Sequence, residues 1–100
     1  MPAVCREGDP LTTGHGCDGT TTIDTAGTDR TVKANNIPAI VVGAPTVSHS
    51  FGADPPCAPH VANLNEGSGT VFINNIAVGR IGDSADEGSM TGGSSTVFVG

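Results

Sequence analysis

Four side chains in this sequence have the types and spacing to hold a metal ion. His15, His49 and His60 are all the histidines it contains, and Cys57 stands three residues before His60 in Cys57-Ala58-Pro59-His60. Zinc prefers four tetrahedral ligands drawn from imidazole nitrogen and thiolate sulfur, and so short a spacing lets two neighbours grip one ion. His15 and His49 would then close the site from elsewhere in the chain. Cys17, two residues beyond His15, is the alternative to Cys57 as fourth ligand. His15 and His49 lie 34 residues apart, so an ion joining them removes much freedom from the unfolded chain. Structural zinc can contribute on the order of 10 kcal/mol to the folding of small domains. The competing reading is three unconnected, solvent-exposed loop histidines.

Other chemistry is less well supported. A zinc hydrolase needs an open coordination position and a general base, and Asp54 is the one carboxylate between His49 and His60. No Gly-x-Ser-x-Gly elbow gives a serine the setting of a nucleophile. Gly67-Ser68-Gly69-Thr70 and Gly92-Gly93-Ser94-Ser95 read as turns, because a phosphate-binding loop needs Gly-Lys-Ser/Thr and Lys33 is the only lysine. Arg6 with Asp9 and Arg80 with Asp83 read as salt bridges within turns rather than as a ligand clamp.

The elements that must position these residues follow from composition. One hundred residues make one domain, 1–100, with a thin core. Its only aromatic side chains are Phe51, Phe72 and Phe98, so burial falls to Val, Ile and Ala. With 15 glycines, 7 prolines and few helix formers, the propensities favour short strands and tight turns. A net charge of −6 repels nucleic acid and anionic lipid. No apolar run is long enough to span a membrane, and the first residues lack the basic start and apolar stretch of a signal peptide, so synthesis in the cytoplasm is expected. An odd number of cysteines argues against a complete disulfide framework; a Cys5–Cys17 bond is the pairing weighed, and a cytoplasmic origin disfavours it.

Three segments repeat. Aligned on Gly8, Gly43 and Gly82, each runs through a short apolar stretch into glycine and a turn residue. Before the second and third copies come Thr31-Val32-Lys33-Ala34-Asn35-Asn36 and Thr70-Val71-Phe72-Ile73-Asn74-Asn75, and Thr96-Val97-Phe98-Val99-Gly100 opens a further unit that is cut off. Asparagine tolerates the left-handed backbone of hairpin turns, so the repeated unit is a hairpin followed by a loop. Cys5 aligns with Ile40 and Gly79 at positions that read as interior, which makes it a buried thiol. Three copies without caps predict a closed, pseudo-threefold body, and such a body can sit on a homotrimer with all three subunits matched.

With Pro2-Ala3 and Pro38-Ala39, the Arg-x-Gly-Asp runs at 6–9 and 80–83, and the recurrent Thr-Val-x-x-Asn, nearly the whole chain resembles the PAAR-repeat proteins. That resemblance implies an all-β, cone-shaped fold of short hairpins whose base caps the homotrimeric β-helical spike of a type VI secretion system or contractile phage tail, one chain per trimer. It implies a structural metal ion near the apex, zinc in the first place with iron as the alternative, held by histidine and cysteine. The expected role is non-enzymatic: sharpening the spike for membrane puncture. With no effector extension expected within 1–100, cargo would bind non-covalently. A small zinc hydrolase and an adaptor tethering effectors are the alternative functions.

Overall fold

A computed structural model describes residues 1–27, 30–51 and 57–100, and no helix occurs among them. Ten strands of two or three residues form five antiparallel pairs. β1 (Pro10–Thr12) pairs with β2 (Thr20–Thr22), and β3 (Lys33–Ala34) with β4 (Ile37–Pro38). β5 (His49–Phe51) pairs with β6 (Ala58–His60) and β7 (Phe72–Ile73) with β8 (Ile76–Ala77), while β9 (Ser84–Ala85) pairs with β10 (Gly88–Ser89). The β3–β4 and β7–β8 turns are the Asn-Asn pairs. Both residues of each pair have positive φ, 57° and 64° at Asn35 and Asn36, 50° and 67° at Asn74 and Asn75. That is the turn whose twist matches a tight hairpin.

The pseudo-threefold order is visible in the backbone hydrogen bonds. Cys5 N–H donates to Gly79 O, Gly79 N–H to Ile40 O, and Ile40 N–H to Cys5 O, at 2.9, 2.9 and 3.1 Å. Three equivalent residues thus close a ring around one axis. Bridges on either side repeat the cycle: Val4 with Arg80, Arg6 with Ala39 and Val41 with Val78 below, Leu11 with Met90, Ile23 with Thr46 and Leu64 with Ala85 above.

Two tiers result. The upper tier holds the hairpins β1–β2, β5–β6 and β9–β10, so the segments after the glycine turns, expected as loops, are themselves paired. Their strands are short and rich in Thr, Ser and Pro, which hides the alternation that marks a half-buried strand. The lower tier holds β3–β4, β7–β8 and a third pair made by the two ends of the sequence. Val4 N–H donates to Val97 O as Val78 N–H does to Val71 O and Ala39 N–H to Val32 O, and Ala3 bridges Phe98. The unit that opens at Thr96 is therefore completed by residues 2–4. Ser68 and Ser94 fix the starts of the Thr-Val strands, each Oγ accepting from two backbone N–H groups ahead of it.

Each tier has its own small core. Cys5, Leu11, Ile23, Ile40, Ala44, Leu64, Ala85 and Met90 fill the upper one, and Val4, Ala34, Ala39, Val41, Ile73 and Val78 the lower. Phe72 and Phe98 stay out of both, at 53 and 47% exposure. Cys5 is fully buried with a free thiol, as its interior position predicts, and burial, helped by the Asp9 and Asp83 carboxylates, pushes its pKa up to about 12. Arg6–Asp9 and Arg80–Asp83 are the turn salt bridges, at 2.9 and 2.8 Å. Val41 and Ala44 take their places in the middle repeat.

The axial ring explains the glycine at 79. A Cβ there would stand 2.6 Å from Leu64 Cδ2 and 2.9 Å from Ile40 Cγ1. Gly79→Ala is expected to destabilise the fold by about 1–3 kcal/mol through overpacking. Chemical denaturation checks this, and an unchanged midpoint would mean that the axis is less tightly filled.

Candidate metal centre

The upper hairpins bring their side chains together at their tips. His15 lies in the β1–β2 turn, His49 and His60 are cross-strand partners on β5 and β6, and Asp86 occupies the β9–β10 turn with φ 54°. All three repeats therefore contribute. His15, His49, His60 and Asp86 each offer a ligand atom within 4.8 Å of the others, an arrangement that could hold a metal ion. The side chains of His15, His49 and Asp86 are almost wholly buried, and that of His60 is 29% exposed.

Hydrogen bonds aim the rings. His15 Nδ1 lies 2.9 Å from the Gly16 carbonyl and His49 Nδ1 2.9 Å from that of Val47. A carbonyl only accepts, so both Nδ1 atoms carry protons and the lone pairs of neutral rings sit on Nε2, facing inward. His15 Nε2 is 3.2 Å from His49 Nε2, and both are within 2.9 Å of Asp86 Oδ2; His60 Nε2 is 3.3 Å from Asp86 Oδ1. Lone pairs and a carboxylate converging in a buried space need a positive charge among them. A tetrahedral ion with nitrogen and oxygen ligands at about 2.0–2.1 Å has ligand–ligand edges of about 3.3–3.4 Å. These four separations equal that edge or fall a few tenths of an ångström short of it, and all the ligand atoms lie within 4.8 Å of one another.

The expected ligand set needs one correction. His15, His49 and His60 meet, but Cys57 is bonded to Cys17 in a disulfide with Cα atoms 6.2 Å apart. Neither sulfur is then a thiolate ligand, and Asp86 is the fourth residue that could hold the ion. The Cys57-x-x-His60 spacing misleads because β6 is extended: residues three apart on a strand point to opposite faces. A Cys5–Cys17 bond is likewise ruled out. Asp54, the candidate base, lies outside the described residues. Asp86-Glu87-Gly88 reads in sequence as an ordinary turn, which hides Asp86 as a ligand. The signal for it was the repeat, since a threefold body has to supply something from its third copy where the first two supply histidine.

No protein-family model matches this chain, and no curated protein matches it in sequence.

Close backbone packing holds the cluster. A Cβ on Gly14, where φ is +75°, would stand 2.1 Å from the Glu87 carbonyl oxygen, and one on Gly88 2.1 Å from that of Thr12. The hairpins carrying His15 and Asp86 touch there main chain to main chain, with the Thr12 hydroxyl also hydrogen-bonded to the Ser89 backbone. Gly14→Ala is expected to push them apart, costing on the order of 3 kcal/mol and weakening metal binding at the same time. Melting and metal titration of that variant check both effects.

In the metal-free protein these groups share protons. The Gly16 carbonyl raises the His15 pKa; burial opposes this and the Asp86 carboxylate supports it. For Asp86, burial pushes upward, but hydrogen bonds from His15, His49 and His60 outweigh it and hold the carboxyl below its usual range. The raised histidine stabilises the fold fully below its unfolded pKa of about 6.5, an effect lost as pH rises through the folded value; the depressed carboxylate stabilises it above about 3.9, an effect lost as pH falls through the folded value. Metal-free protein is expected to be most stable between about pH 4 and 6.5. Metal reverses the upper limit, because its ligands must be deprotonated. Melts across pH with and without chelator test this; metal-free protein that gains stability from pH 6 to 8 would contradict it.

Proposed function

We propose that this chain is a non-enzymatic spike-tip protein of the PAAR-repeat kind, capping a homotrimeric β-helical spike with one chain per trimer and sharpening it for membrane puncture. The observation that carries this reading is the ring of hydrogen bonds through Cys5, Ile40 and Gly79, which gives one chain three nearly equivalent sides. A partner of threefold symmetry can engage all three alike. The fold measures 40 × 23 × 21 Å and is elongated, as a tip requires.

In this reading the metal is structural zinc. Four protein side chains are the closed set of a structural site, whereas catalytic zinc keeps a position for water. Three imidazoles with one carboxylate suit zinc and also iron. The ion would pin three hairpin tips that have little core beneath them. Delivery out of the cytoplasm on the spike also suits the Cys17–Cys57 bond, since disulfides persist in oxidising compartments. Effectors would ride non-covalently.

The test is native mass spectrometry of the purified protein with trimeric spike proteins from its own genome. A complex of one chain, one metal ion and one trimer supports the proposal; a monomer indifferent to all of them overturns it. A hydrolase would instead show metal-dependent turnover lost on Asp54→Asn.

A further inference from the structure

A cavity of about 320 Å³ opens among the lower hairpins. Val4, Ala39 and Val78, one from each repeat at the same position, are its buried floor. The equivalent trio Val32, Val71 and Val97 forms its walls. Since every repeat supplies the same positions, the cavity straddles the pseudo-threefold axis. A single entering side chain would fit one wall and miss the others, whereas three identical side chains around a threefold axis meet each wall alike.

The rim adds a second requirement. Lys33 and Phe72, at equivalent positions of two repeats, line the cavity there, and Phe72 is about half exposed. An exposed aromatic side chain beside an apolar cavity has the composition of an interface centre. Lys33 differs: among the described residues it is the one cationic side chain without a carboxylate partner, Arg6, Arg30 and Arg80 being paired with Asp9, Glu7 and Asp83. An ammonium brought into an apolar interface needs an oxygen acceptor from the other side.

We propose that this axial cavity is the socket for three symmetry-related apolar side chains, one from each chain of a homotrimer, with Phe72 packing against them and Lys33 meeting a carboxylate or backbone carbonyl of one partner chain. The proposal rests on the spike-tip reading and goes beyond it by naming the seat and the chemistry of the partner's end.

The test measures binding of wild-type protein and variants to trimeric spike proteins purified from the same genome. Ala34→Ile narrows the socket with a side chain that the third repeat already carries at the equivalent position, Ile73. Phe72→Ser and Lys33→Glu alter the rim at exposed positions, so they carry the test should Ala34→Ile fail to fold. Each is expected to weaken binding at least about tenfold, with melting temperature and metal content as in the wild type for the two rim variants, while Val61→Ser on the upper tier leaves binding unchanged. Wild-type binding at one chain per trimer that ignores all three variants overturns the socket and leaves the spike-tip reading standing. Failure of the wild type to bind any trimer overturns both.

Discussion

Removing the metal is expected to lower the melting temperature by some 16–33 °C. A ligand that binds only the folded state at a free concentration 1,000 times its Kd adds about 4.1 kcal/mol. For a domain of this size each kcal/mol moves the midpoint by about 4–8 °C. The effect should be large here because His15, His49, His60 and Asp86 come from three different hairpins, and the upper core beneath them holds eight buried residues, none of them aromatic. Asp86→Ala should abolish the metal-dependent increment, since it removes the single anion among three imidazoles. His49→Ala should do the same by removing a ring that is 3% exposed. Calorimetry with and without chelator measures both. A chelator-insensitive midpoint in the wild type would mean that the cluster is held by shared protons alone.

Replacing Cys17 and Cys57 by serine is expected to cost about 4 kcal/mol, the loop-closure value for residues 40 apart, and so about 16–32 °C. The bond ties the loop that carries His15 to the segment that leads into His60. A second link is already present, with Ser50 N–H donating to Asp18 Oδ2 at 2.8 Å and Asp18 N–H to Ser50 O at 3.1 Å. Loss of the bond is therefore expected to loosen the metal cluster without dispersing it. Thermal melts of the double variant, and of wild-type protein under reducing conditions, should agree. A reduced protein as stable as the oxidised one would place the holding force elsewhere.

Much of this architecture could be read from the sequence, for identifiable reasons. Gly8, Gly43 and Gly82 have φ of 84°, 94° and 91°, a backbone that favours glycine, and the Asn-Asn pairs mark turns equally constrained. Constraints of this kind leave a trace in residue type. The histidines were legible because imidazoles clustered after glycine turns have few other uses. Direction was not legible. Whether Cys57 and His60 share a face depends on whether the chain between them is turned or extended, and four residues do not reveal that. Asp86 shows a different limit, because an aspartate suits a tight turn for local reasons and so hides its long-range partners His15, His49 and His60. Closure of the third hairpin by residues 2–4 and 97–99 depends on contacts nearly the whole chain apart, which no local pattern encodes.

Whether three hairpin tips share one cation is tested most directly by anomalous diffraction from crystals of the purified protein. At the absorption edge of the bound metal, a single peak is expected about 2.0–2.2 Å from an Nε2 atom of each of His15, His49 and His60 and from a carboxylate oxygen of Asp86. No peak at that position in metal-supplemented crystals, or a peak bound by other residues while these three imidazoles lie apart, would contradict it.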